Sequence, residues 1–139
     1  MKRIISILFL TCFLSFQKEK VVIPDKIVVL INQVPWERPI ANTIETFWQD
    51  KEHFDTIQIV GKTILNHVNG VLSKLVKEDN FSEISYESCI IRYSREQPID
   101  TFYSWRWFDH WKKGSIMYID STKKLEELLV KFYHVQLTR

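Results

Sequence analysis

Apolar and polar positions change period several times along the chain, and each change marks an element. Lys62 to Lys77 carries Ile64, Leu65, Val68, Val71, Leu72, Leu75 and Val76 at helical spacing, with Asn66, Asn69, Ser73 and Lys74 off the stripe. The pattern predicts one amphipathic helix over these residues, weakened at Gly70 by about 1 kcal/mol relative to alanine. A second helix is predicted over Thr122 to Tyr133, with Leu125, Leu128, Leu129 and Phe132 as its stripe. Asp120, Ser121 and Thr122 offer N-caps, and Glu126 and Glu127 ahead of Lys131 suit the helix dipole.

Strand patterns fill the remainder. Ile27 to Ile31 is an apolar, mostly β-branched run, and Pro35 and Pro39 around Trp36-Glu37-Arg38 end it because proline cannot donate to a ladder. Phe54 to Val60 alternates and reads as a short strand. Asn42 to Trp48 fits a short helix and a strand equally well. Ile84 to Tyr93, Ile99 to Trp107 and Ser115 to Ile119 then read as three strands, with turns at Ser94 to Pro98 and at Lys112-Lys113-Gly114. Strands in succession joined by short turns predict a three-strand antiparallel meander at the C-terminal end. Two helices with one apolar face each complete an α+β fold, a mostly antiparallel sheet with both helices packed on one face.

The opening stretch belongs to none of these patterns. Lys2 and Arg3 precede the uncharged run Ile4 to Phe16, after which Gln17, Lys18, Glu19 and Lys20 turn the chain polar. This is the order of a secretory signal, and the run is shorter than the roughly 20 apolar residues that a spanning helix needs. Residues 1–16 are therefore expected to be a signal peptide and 17–139 a single globular domain, exported to the periplasm or the extracellular space, with no permanent transmembrane span. A lipid-anchored envelope protein is a competing route. Cys12 would be the lipidated residue, although Phe9 and Thr11 stand where such signals usually place leucine and a small residue. The layout resembles that of small exported bacterial proteins, a likeness of pattern that implies no activity.

Export changes the charge. The whole chain has 19 basic and 17 acidic residues, and loss of Lys2 and Arg3 with the leader leaves 17 of each. A neutral mature surface argues against nucleic acid, which demands a basic face. Of the two cysteines only Cys89 would remain, so no intrachain disulfide is expected. Cys89 reads as a small buried apolar residue in a strand.

Candidate chemistry concentrates between Phe102 and Trp111, where three of the five tryptophans fall. In a strand, Tyr103, Trp105 and Trp107 would share the face directed to the core, with Phe102, Ser104 and Arg106 opposite. Packing alone would account for these rings. The functional alternative is an aromatic platform for a saccharide or a protein partner, with Phe102, Trp105, Arg106 and Trp111 as its residues and Trp36 as a separate candidate. No residue is assigned a catalytic role. Asp109 and His110 with Ser104 or Ser115 could be drawn as a triad, but neighbours on a strand point apart unless the chain bends, and no nucleophile elbow is present. His53, His67, His110 and His134 lack metal-binding spacing, and Glu52-His53-Phe54-Asp55 reads as a solvated loop, so neither metal nor cofactor is expected. The sequence thus favours a non-catalytic exported binding protein. Its alternatives are a periplasmic inhibitor or immunity protein, the Cys12-anchored envelope protein, and a small hydrolase using His110.

Overall fold

Ile27 and Val29 enter one side of a sheet and Leu30 the other, so the first strand, β1 (Lys26–Asn32), is covered on both faces. The computed structural model describes residues 22–33, 41–81, 85–105 and 108–137. The expected leader with Cys12, together with Trp36, Arg106 and Trp107, lies outside the described residues.

The elements that follow are α1 (Ile44–Gln49), a 3₁₀ turn Lys51–His53, β2 (Phe54–Ile59), α2 (Lys62–Leu72), β3 (Val76–Glu78), β4 (Ser88–Ser94), β5 (Gln97–Ser104), β6 (His110–Lys113), β7 (Ile116–Ile119) and α3 (Lys124–Leu137). The fold is α+β, and the described residues form a seven-stranded sheet in the order β2-β1-β4-β5-β6-β7-β3. Every neighbouring pair is antiparallel. Hairpins join β4 through β7, so the meander has four strands where the pattern predicted three. The extra strand is β6, which follows the expected Ile99–Trp107 strand after a bend at Phe108 and Asp109 and takes in Lys112 and Lys113 of the expected turn.

The two long helices share one face of the sheet. Leu65, Val68, Val71 and Leu72 of α2 and Leu125 and Leu129 of α3 pack there with Ile27, Val29, Ile57, Ile59, Ile90, Phe102 and Trp111. We call this the major face. The opposite, minor face has its own core of Phe47, Tyr86, Cys89 and Ile91, capped by α1 through Phe47. The two predicted helices thus share one face as expected, and α1, the segment whose pattern was ambiguous, adds a third helix on the other. Thr43 caps it by accepting from the Thr46 backbone N–H.

Helix α2 also stops short of the predicted Lys77. The Lys74 and Leu75 amides donate to Val71 and Leu72 carbonyls, tightening the last turn, and Ser73 Oγ donates back to the Gly70 carbonyl. Val76 then pairs with Ile119 as the start of β3. Leu75, ahead of β3, packs on the major-face core, and Val76 is 53% exposed, so the helical stripe ran on past the helix by coincidence of spacing.

Two turns show local backbone demands. Arg95 and Glu96 both adopt positive φ, 51° and 64°, as the two-residue turn between β4 and β5 requires. Lys26 pairs with Glu96, and the Arg95 amide donates to Asp25 Oδ2. Gly114 turns β6 into β7 at φ 58°.

Candidate functional site

The bend between β5 and β6 determines which aromatic residues reach the surface. Phe108 takes φ 55°, a left-handed conformation in which the chain reverses. The buried Trp111 indole N–H donates to the Phe108 carbonyl at 2.7 Å, and Ser104 Oγ donates to the His110 carbonyl at 2.6 Å. Trp111 is fully buried and Phe102 is 5% exposed, both in the major-face core. This corrects their candidacy as ligand contacts, since neither ring can be touched without opening the core. The expected alternation holds for the described residues, Tyr103 and Trp105 packing on one core with Phe102 opposite, but the Phe102 side meets a second core. A strand covered on both sides leaves no bare aromatic face. Of the predicted contact residues, Trp105 alone is both described and partly accessible.

Trp105 belongs to a cluster that sequence reasoning saw only in part. Its indole N–H donates to Asp109 Oδ1. His110 Nδ1 lies 3.1 Å from the same oxygen, and its Nε2 lies 3.5 Å from Glu78 Oε2 of β3. The Phe81 ring lies 4.3 Å from the imidazole, centroid to centroid, and the Trp105 ring 5.9 Å away nearly edge-on. An imidazole is thus held between two carboxylates and framed by two rings, on the minor face beside the β3 edge. Asp109 and Glu78 side chains are each 31% exposed and His110 is 16% exposed, so the group is recessed but reachable. His110 Nδ1 and Glu78 Oε2 are buried atoms without an aligned hydrogen bond.

The sequence raised the Asp109–His110 dyad only on condition that the chain bends, and it does. Glu78 had no signal, because it lies just past the predicted helix Lys62 to Lys77 and in none of the predicted elements. Burial works to raise the Asp109 pKa, but the Trp105 hydrogen bond and the neighbouring His110 outweigh it, so the carboxyl sits below its ordinary value. The pair therefore presents a firmly ionised acceptor. Among the described residues no serine or cysteine hydrogen-bonds the imidazole: Ser104 faces the His110 backbone, and Cys89 is fully buried with its thiol pushed up to about 12, mainly by desolvation. Among the described residues no group of histidine, cysteine and carboxylate side chains could hold a metal, and Glu52, His53 and Asp55 do not form one.

Further aromatic surface adjoins on the same face. The Trp48 indole N–H donates to the Tyr103 hydroxyl at 2.9 Å, and Trp48 is 37% exposed. Lys112 Nζ lies 5.5 Å from the Tyr86 ring centroid, a cation over an aromatic face. No described helix is long and apolar enough to cross a membrane. No family model, curated protein or solved structure matches the chain.

Proposed function

We propose that the protein is a small exported binding protein, without catalytic activity, that recognises a saccharide at the Trp105–Asp109–His110–Glu78 cluster. One observation carries this reading: Trp105 is the sequence-predicted contact that stays accessible, and its indole is fixed by Asp109, whose side chain, like that of Glu78, is 31% exposed. Sugar recognition combines an aromatic ring against the apolar face of the pyranose with carboxylate and imidazole groups for its hydroxyls. The cluster offers these groups together, with no conformational change needed to gather them. Export rests on the order Lys2-Arg3, Ile4 to Phe16 and the polar switch at Gln17. A protein partner, as for an inhibitor or immunity protein, would use the same surface.

An array of defined oligosaccharides, probed with the purified protein and with Trp105→Ala, tests this. Signals that disappear in the variant while its circular dichroism stays native support the reading. Signals equal in the two proteins, or none in either, contradict it. A second reading, a hydrolase using His110, gains support from the 3.1 Å Asp109 contact, which could orient an imidazole to activate water. Hydrolysis of an array sugar that is lost in His110→Ala would replace binding with catalysis as the function.

A further inference from the structure

A cleft of about 290 Å³ lies between the flank of α2 and the start of α3, open at its mouth. Both helices cover the major face, so the cleft is on the other side of the sheet from Trp105. Asn66, Gly70 and Lys74 reach it at four-residue spacing along α2, with His67 and Val71 at the same spacing beside them. Thr122 and Lys124 close it from the α3 side. Its walls are basic. Among the described residues neither lysine nor His67 is paired with a carboxylate. Asp120, close by in sequence, is turned inward: Oδ1 accepts from the Thr122 amide and hydroxyl, and Oδ2 from the Leu125 amide. Glu126 and Glu127 follow on α3 but do not line the cleft.

The fold gives Gly70 no reason to be glycine. It does not take positive φ, and a Cβ added there would meet nothing within 4 Å. Glycine in a helix costs up to about 1 kcal/mol relative to alanine, so the fold would gain from a side chain. What that side chain would occupy is the cleft. A residue that breaks a local rule with no gain to the fold is expected at a functional position. We infer that the cleft binds a small phosphate monoester, a sugar phosphate in size. The two lysine ammonium groups balance the charge of about −1.5 to −2 that such an ester carries near neutral pH. The volume is close to the roughly 300 Å³ at which small-molecule sites begin, so a bare phosphate would leave most of it empty. His67 and Asn66 offer hydrogen bonds to sugar hydroxyls. The Thr122 hydroxyl, whose proton goes to Asp120, accepts one. Val71 supplies apolar floor, and the bare backbone of Gly70 lets the ring approach the helix. This site does not rest on the binding proposed at Trp105.

Isothermal titration calorimetry of the full-length chain at low ionic strength, with glucose 6-phosphate and with inorganic phosphate, tests this. The ester should saturate a single site with a Kd below about 1 mM, about ten-fold or more tighter than inorganic phosphate. Gly70→Gln is the discriminating variant, because it fills the cleft without changing charge and is the better helix former. It should hold or raise Tm while weakening the ester by about ten-fold or more. Lys74→Gln should weaken it to a similar extent with unchanged circular dichroism, and decides should Gly70→Gln fail to fold. Trp105→Ala should leave the affinity as it is, which separates this site from the one on the minor face. A wild-type chain that does not saturate by about 10 mM ester overturns the inference. So does equal affinity for inorganic phosphate, or binding unchanged in folded Gly70→Gln, which would mark diffuse attraction to surface lysines.

Discussion

Single residues show how this molecule uses charge inside a partly dry setting. Asp100 receives Arg92 through two nitrogens, at 2.7 and 2.5 Å, and Lys113 at 2.6 Å, and both cations also lie over the Phe102 ring. Burial pulls the Asp100 pKa upward, but the hydrogen bonds and charges of Arg92 and Lys113 together push it below the ordinary value. A carboxyl lowered in the folded state stabilises the fold above its unfolded pKa, about 3.9, and that contribution fades as pH falls toward the lower folded value. Asp100→Asn should therefore cost about 1–3 kcal/mol at neutral pH and make the acid side of a stability–pH curve shallower, as urea titrations at successive pH values would show. Cys89 makes the complementary case. A dry thiol with its pKa at about 12 should resist a thiol reagent at pH 8 until the chain unfolds, so labelling should follow the denaturation curve. Its burial in a strand was legible from the apolar alternation around it. The exchange between Asp100, Arg92 and Lys113 was not, because a bulge where β4 pairs with β5 shifts the register there, and bulges leave no reliable trace in a pattern of period two.

At the scale of elements, legibility tracked how one-sided each segment is. Both long helices and strands β1, β2, β4 and β7 were readable because each keeps its period for several residues. The short helix α1 was ambiguous because six residues hold too few turns to declare a period, and Phe47, its one fully buried residue, comes from the tertiary fit. Phe47→Ala should cost about 3–5 kcal/mol in chemical denaturation, the scale of removing a large ring from a closed core, since this ring packs on Phe54 at 4.5 Å and anchors the minor face. A loss below about 1 kcal/mol would mean that α1 is a loose cover. The turn between β4 and β5 predicts the opposite sign. Arg95 and Glu96 hold positive φ without glycine or asparagine, and the Lys26–Glu96 pair it would lose is 80% exposed on the glutamate side and contributes little. Replacing Arg95-Glu96 by Asn-Gly should raise stability by about 1 kcal/mol, visible as a higher Tm.

For the whole molecule, a sheet closed on both faces explains why the aromatic run between Phe102 and Trp111 divides as it does. Alternation sends Phe102 and Trp111 into the core beneath α2 and α3, and Tyr103 toward α1. The bend at Phe108 brings Asp109 and His110 back to Trp105 at the margin of the minor face. That the run mattered was visible in the sequence. Which of its rings stay accessible was not, because this depends on two cores and a reversal of chain direction. Glu78 completes the cluster from a strand that pairs with β7, a contact no local pattern could announce. The proposed ligand contact is at Trp105, and the indole N–H resonances of a ¹⁵N-labelled sample report on it directly. On titration with an oligosaccharide that binds the array, the Trp105 resonance should shift while that of buried Trp111 stays in place. A titration that moves other indoles and leaves Trp105 unmoved would contradict the account.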